Sequence, residues 1–464
     1  MARLVIVSNR IMLPRAHGER ERAGGMAVAL RDALRARGGL WFGWSGETAD
    51  ATSTAAKIAQ SGRIQFATID LGRADHDQYY NRFSNGTLWP LLHYRLGLLE
   101  FRQESLDGYL RVNEAFSHAL RPLLRPDDLV WVHDYHLIPL AASLRKHGAA
   151  NRIGLFLHTS FPPPALFTAL PRYEVLADAL TAYDVVGLQT EDDRANLSSV
   201  MTTHYRCGTT ARGELDLPTR RVLLCAMPVG IDAAAMAEMA ETASAGSEQR
   251  RLVDSLVGRQ LILGVDRLDY SKGLPQRFEA YERLLSGFAE HRSRVTFMQI
   301  APVSRGEVRQ YRELRRDLDR LAGRINGRFA EFDWVPVRYL NRSFSRQTLA
   351  GFYRHARVGL VTPLRDGMNL VAKEYVAAQN AGDPGVLVLS RFAGAAHELT
   401  DALLVNPFDV DAMGEAIHRA LTMSLAERQA RWRAMMRPIT TNTAVAWQET
   451  FLKLLQNAAA ATAA

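Results

Sequence analysis

A series of short, wholly apolar runs constrains this chain more than any other feature. Leu4–Val7, Leu129–Val132, Ile153–Leu157, Val185–Leu188 and Val222–Leu224 lie in the first half. Leu261–Val265, Val295–Ile300, Val358–Val361, Val386–Leu389 and Leu403–Val405 lie in the second. Runs that are apolar at every position, not at alternate ones, suit strands covered on both faces, as in a parallel sheet. Helix-length amphipathic segments such as Ala27–Arg37 and Pro275–Phe288 separate them. Strand–helix alternation in two blocks predicts an α/β chain with two doubly wound, Rossmann-like domains. The boundary falls between Pro228 and Gln260, where Ala233–Ser247 carries no strand signal. We place the domains at 1–232 and 233–443. Residues 444–464 form a C-terminal helix followed by an alanine-rich tail from Ala458.

Composition narrows the function classes. Lys+Arg is 57 and Asp+Glu is 49, giving a net charge of +8. The charges are interspersed, as in Arg309–Arg316 followed by Asp317 and Asp319, and no basic tail or block is present. That argues against nucleic acid as a partner and suits a cationic cleft that gathers anionic substrates. Only Cys207 and Cys225 occur, so neither a disulfide framework nor a metal-ligand spacing is available. After Met1-Ala2-Arg3 only four apolar residues follow, too few for a signal peptide, and no run reaches membrane-span length. A cytoplasmic protein with no membrane partner is expected. Homo-oligomerisation is left open.

Open α/β sheets bind ligands beyond the carboxyl ends of their strands. Two such domains facing each other place a cleft there, so the residues just after each run matter most. After the first comes Ser8-Asn9-Arg10, and later Ala23-Gly24-Gly25-Met26, which leads into a helix. A Gly-Gly pair there lets backbone N–H groups approach an anion, although such a pair is more often only a turn. No GxGxxG follows Leu4–Val7, which counts against a nicotinamide-dinucleotide enzyme. Tyr80–Trp89 offers sugar-stacking rings or a core aromatic cluster. His133-Asp134-Tyr135-His136 follows a strand; Asp134 can accept from sugar hydroxyls. Two histidines raise a metal, but no further ligand motif such as HExxH accompanies them. His158 opens a proline-stiffened loop, His158-Thr159-Ser160-Phe161-Pro162-Pro163-Pro164.

The second half is more specific. Asp266-Arg267-Leu268-Asp269-Tyr270-Ser271-Lys272-Gly273 follows one strand. The chain has only five lysines, at 57, 146, 272, 373 and 453, and both Lys272 and Lys373 follow strands in the expected cleft. Arg267 and Lys272 can together neutralise a diphosphate. Arg305 brings another cation after Val295–Ile300. Thr362–Glu374 runs from a strand through a polar glycine turn into a helix, whose first N–H groups can bind phosphate. Glu374, one turn in, is placed to accept ribose hydroxyls. No Ser-His-Asp or Cys-His pattern appears. The chemistry implied is glycosyl transfer from a nucleotide sugar.

These motifs together resemble glycosyltransferase family 20, the trehalose-6-phosphate synthases of GT-B fold, over roughly residues 3–456. The resemblance rests on Val7-Ser8-Asn9-Arg10, Ala23-Gly24-Gly25, Leu40-Trp41-Phe42-Gly43-Trp44-Ser45-Gly46 and Trp131-Val132-His133-Asp134-Tyr135-His136-Leu137. Arg267-Leu268-Asp269-Tyr270-Ser271-Lys272-Gly273 and Arg365-Asp366-Gly367-Met368-Asn369-Leu370-Val371-Ala372-Lys373-Glu374 complete it. It implies a C-terminal helix returning to the first domain and a retaining transfer of glucose from UDP-glucose to glucose 6-phosphate. No cofactor or metal is implied. By position, Arg10, Tyr80, Trp89, Asp134 and Arg305 match the acceptor pocket. Gly24 and Gly25 match the donor loop, and Arg267 and Lys272 the donor diphosphate. Phe344 matches the nucleobase region, Asp366 the donor-glucose hydroxyls, and Leu370, Val371 and Glu374 the helix start and ribose. His158 matches the histidine beside the transferred sugar, so His158, Asp366, Arg267 and Lys272 are the expected catalytic group.

The chain departs from the family at Thr159-Ser160, where an Ile-Pro pair is usual, and Thr202–Pro218 carries no family signature. Related acceptors (glycerol 3-phosphate, a cyclitol phosphate), related donors (GDP- or ADP-glucose) and a non-catalytic regulatory member remain as alternatives. The last would be expected to lack Arg267, Lys272 or Glu374, and all three are present.

Overall fold

A computed structural model describes residues 2–11, 30–31, 34–35, 37–218, 220–304 and 308–458. Two compact units divide these: one runs to Pro228 and resumes at Val445, the other spans Val229–Ala444. Among the described residues, no helix is long and apolar enough to cross a membrane.

The strands of the first unit are β1 (Leu4–Arg10), β2 (Gly39–Ala49), β3 (Lys57–Ser61), β4 (Ile64–Gly72), β5 (Leu129–His133), β6 (Arg152–Phe156), β7 (Val185–Leu188), β8 (Gly208–Thr209), β9 (Glu214–Asp216) and β10 (Arg221–Ala226). Their order across the sheet is β3-β4-β2-β1-β5-β6-β7-β10-β9-β8. The pairings from β4 to β10 are parallel, with Leu4 opposite both Gly39 and Leu129. Antiparallel additions close both edges: exposed β3 on one side, and the β8–β9 pair from the 202–218 stretch on the other. Each apolar run of the first half is a strand. The strands β2 and β4 were not expected, because Gly, Trp and Thr interrupt their Val/Ile/Leu content.

The closing helix Ala444–Asn457 belongs to this unit. Phe451 stacks on Trp131 at 4.7 Å between ring centroids, and Trp447 lies 4.9 Å from the same ring. Phe451 fills the space left above Gly154 and Gly187, where a methyl group would come within 2.9 Å of its ring. It is fully buried, so truncating it to alanine costs about 3–5 kcal/mol.

The second unit has an all-parallel sheet of β11 (Gln260–Val265), β12 (Val295–Ile300), β13 (Val337–Leu340), β14 (Val358–Val361), β15 (Val386–Ser390) and β16 (Leu403–Val405). The order is β13-β12-β11-β14-β15-β16. Five of these strands were legible as apolar runs, while β13, with its Arg338 and Tyr339, was not. The helices Ala233–Ser244, Arg346–His355 and Leu370–Ala378 cover one face through Met236, Ala240, Ala350, Phe352, Ala372 and Val376.

Both sheets reverse their winding beside the first strand. In one, β1 has β2 on one side and β5 on the other; in the other, β11 has β12 and β14. Such switch points open a crevice at the carboxyl ends of the two central strands.

Candidate active site

In the first unit, the switch point is bounded by the ends of β1 and β5. Arg10 ends β1, and its guanidinium carbon lies 5.5 Å from the Trp44 ring centroid. Gly46 is held at φ +95°, and an added Cβ would sit 2.5 Å from that guanidinium. The motif's second glycine is therefore what lets Arg10 lie where it does. Tyr80, within the π-helical segment Asp77–Leu88, stacks between His76 at 5.4 Å and His136 at 5.9 Å, with Trp44 6.0 Å away. Trp89 is buried against His93 and Tyr135. Tyr80 thus belongs to a partly open aromatic shelf, while Trp89 is closer to the core cluster that composition favoured.

Asp134 follows β5 with φ +73°, a strained region for a residue with a side chain. Its N–H donates to Phe156 O at 2.8 Å, and its Oδ1 accepts from His158 N–H at 3.2 Å. The ends of β5 and β6 are thereby tied together, with His158 beside Asp134. The His158 Nε2 lies 3.1 Å from His133 Nδ1. Burial pushes the His158 imidazole down to about 3 and the His133 ring well below its ordinary value, so both are neutral at physiological pH. Neither His133 nor His136 falls in a three-ligand cluster among the described residues. Thr159 and Ser160 are both buried, and the Thr159 hydroxyl has no hydrogen-bond partner.

In the second unit, the loops after β11 and β14 meet. Asp269 caps the turn Tyr270–Lys272, accepting from Ser271 N–H at 3.0 Å. Gly273 then takes φ +64° against Thr362 O, where a Cβ would be 2.3 Å away. The result is that Lys272 Nζ reaches Asp366 Oδ2 at 2.5 Å. Asp366 also accepts from Asn369 Nδ2 at 2.9 Å. Asn369, at φ +74°, caps the helix Leu370–Ala378 through Ala372 N–H. The first N–H groups of that helix, including those of Leu370 and Val371, lack partners within it, and its dipole favours an anion. Glu374 lies one turn in. Burial raises its carboxyl above the usual range, and Arg346, 3.5 Å away, partly offsets this. Arg267 is exposed on the same loop as Lys272. Phe344 packs edge-on to Phe352 with the Arg342 guanidinium over its ring at 4.6 Å.

Arg277 organises this site, and its importance was not read from the sequence. It is fully buried. It pairs with Asp266 at 2.9 Å and donates to Thr362 Oγ1 at 3.2 Å, Gln299 Oε1 at 2.9 Å and Lys272 O at 3.3 Å. One guanidinium thus ties the ends of β11, β12 and β14 to the Lys272 turn. Only contacts reveal this, since Arg277 lies in an ordinary helical pattern. Lys373 corrects an expectation. Its ammonium is fully buried, donating to Val229 O at 2.9 Å and pairing with Glu398 at 2.5 Å, so it is a structural tie and not a cleft cation. Gly24, Gly25 and Arg305 lie outside the described residues.

The model of the family described as glycosyltransferase family 20 matches residues 2–457. The chain belongs to glycosyltransferase family 20. A trehalose-6-phosphate synthase of Escherichia coli is 49% identical to this family 20 chain over 98% of it and 95% of the relative. The structure of a UDP-forming α,α-trehalose-phosphate synthase from Burkholderia xenovorans in complex with glucose 6-phosphate matches with a TM-score of 0.94 at 47% identity, covering 98% of this chain and 100% of that one. An E. coli structure bound with UDP-2-fluoro glucose matches with a TM-score of 0.93 at 48% identity, covering 98% and 99%. The fold of this family 20 member is accordingly GT-B, with two Rossmann-like parallel-sheet units.

Proposed function

We propose that this chain transfers glucose from UDP-glucose to the anomeric hydroxyl of glucose 6-phosphate, giving α,α-trehalose 6-phosphate and UDP, in the cytoplasm. The observation that carries the reading is the Lys272–Asp366 contact at the start of a capped helix, with Glu374 one turn further. A cation, an anion-binding helix start and a ribose-type acid are the parts a nucleotide-sugar diphosphate needs.

In this reading the second unit holds the donor. Arg267, Lys272 and the N–H groups near Leu370 and Val371 take the diphosphate. Glu374 takes the ribose, Phe344 borders the base, and Asp366 accepts from the donor glucose. The first unit holds the acceptor. Arg10 takes its phosphate, and Tyr80, Trp89 and Asp134 hold its ring. His158, neutral, hydrogen-bonds the transferred sugar. The bond from glucose C1 to the diphosphate breaks on the face where the acceptor oxygen bonds. The acceptor's proton passes to a diphosphate oxygen. Catalysis is then positioning plus stabilisation of charge on the leaving group. Because arginine, lysine and helix N–H groups supply that stabilisation, we assign no metal to the chemistry.

Thr159-Ser160 is the place where acceptor choice is open to change. Both hydroxyls are buried beside His158, so they shape the loop from within. Glucose 6-phosphate is expected to remain preferred. Competition between glucose 6-phosphate and glycerol 3-phosphate at equal concentration, with UDP-glucose as donor, tests this. Dominant glucosylglycerol phosphate would overturn the acceptor assignment, and faster UDP-independent transfer from GDP- or ADP-glucose would overturn the donor.

A further inference from the structure

We propose that Glu114, His118 and His147 form a structural site for a borderline divalent cation of the Zn²⁺ class, at the end of the first unit away from the transfer chemistry. Glu114 and His118 lie one turn apart on the helix Gln103–Leu120, so their side chains share a face. His147 caps the C-terminal end of the neighbouring helix Leu140–Lys146. The His147 Nε2 is 3.1 Å from Glu114 Oε1, and the His118 Nε2 is 3.8 Å from it. The three ligand atoms all lie within 4.8 Å of one another. Donors at ~2.0–2.2 Å around tetrahedral Zn²⁺ stand roughly 3.3 Å apart, so only small side-chain rotations are needed.

A second contact sets this cluster apart from a chance gathering of side chains. The fully buried Ser117 hydroxyl lies 2.9 Å from His147 Nδ1. A ring held at Nδ1 presents Nε2 outward, the arrangement seen when an outer partner orients a metal-binding histidine. Lys146 Nζ, 3.5 Å from Glu114, must move aside, and its side chain is 74% exposed and so has room to do so. Two imidazoles and one carboxylate suit zinc, nickel or copper and not magnesium, which prefers oxygen. The comparable group Glu290, His291 and His418 is the weaker candidate. There the two rings already bond each other at 2.9 Å.

Position argues for stability and not turnover. The helix Gln103–Leu120 leads into the start of β5, and Leu140–Lys146 leads into the start of β6. The cluster therefore lies at the amino ends of strands whose carboxyl ends carry Asp134 and His158. A bound ion would join two helix ends and stabilise the native state by mass action. The inference does not depend on the proposed transferase activity.

The test uses the untagged full chain, stripped with chelator and titrated with ZnCl₂ alone by calorimetry, with melting followed in parallel. The wild type is expected to bind Zn²⁺ at micromolar concentration and to melt several degrees higher when loaded. His118→Ala/His147→Ala should lose at least tenfold in affinity and most of that shift, while Ser117→Ala loses about tenfold. Millimolar Mg²⁺ should not compete. Turnover of the metal-free double variant should equal that of the metal-free wild type. Should the double variant fold poorly, the single change at exposed His118, His118→Gln, gives the same readout. Unchanged Zn²⁺ affinity in these variants, or no binding by the wild type at millimolar Zn²⁺, would overturn the proposal. Loss of the binding through His418→Ala instead would also overturn it.

Discussion

The ammonium of Lys272 and the carboxylate of Asp366 meet at 2.5 Å, although they follow different strands, β11 and β14. The contact holds the lysine extended at the mouth of the helix Leu370–Ala378, where a donor diphosphate would replace Asp366 as its partner or share it. Lys272→Ala is expected to lower kcat by about 10²–10³-fold, because a group aimed at charge on the leaving group acts mainly in the transition state. Steady-state UDP release measures this. Near-normal turnover in the variant would remove Lys272 from the chemistry.

Gly46 lets Arg10 occupy its place above Trp44. A methyl group at Gly46 would meet the guanidinium at 2.5 Å, and φ +95° costs a side-chain-bearing residue about 1–3 kcal/mol. Gly46→Ala is therefore expected to raise KM for glucose 6-phosphate more than KM for UDP-glucose. Equal effects on both would indicate a general loss of fold and not a displaced Arg10.

His158 and His133 are held neutral by burial, His158 with a pKa of about 3. The unfolded chain binds protons at these rings near pH 6.5, whereas the folded chain does not until much lower pH. Stability linked to the pair is thus fully present above about pH 6.5 and is lost as pH falls below it, for His158 down to about pH 3. A histidine NMR titration should show the His158 ring unprotonated through pH 5. Protonation near pH 6.5 would mean the ring is solvated in solution.

Arg277 and Asp266 form a fully buried pair beneath the Lys272 turn. Arg277→Met should destabilise the chain by about 3–5 kcal/mol, since it strands a buried carboxylate. Adding Asp266→Asn should recover part of that loss. Urea unfolding measures both. If the single variant were as stable as wild type, the guanidinium could not be the tie between the three strand ends.

Much of this arrangement is legible in the sequence, for a physical reason. Strands buried on both faces must be apolar throughout, so the runs from Leu4–Val7 to Leu403–Val405 stood out. Strand β2 escaped because it carries glycines and tryptophans that serve Arg10 and the shelf around Tyr80. Strand β13 escaped because Arg338 and Tyr339 are only half-buried. Residues after strands could be singled out as site candidates, but residue type does not give direction. Lys373 and Lys272 looked alike in sequence, yet one turns inward to Glu398 and the other toward Asp366. Arg277 and the Glu114 cluster depend on contacts between elements far apart in the chain, which no local pattern carries.

The linkage of the product decides whether this chain makes α,α-trehalose 6-phosphate. The purified chain is incubated with UDP-glucose and ¹³C-labelled glucose 6-phosphate, and the product is examined by NMR. The expected product is a disaccharide phosphate in which both anomeric centres are α and joined through one oxygen, with one UDP released per molecule formed. A β linkage at the transferred glucose, attachment at any other hydroxyl, or UDP release with free glucose as the main product would contradict it.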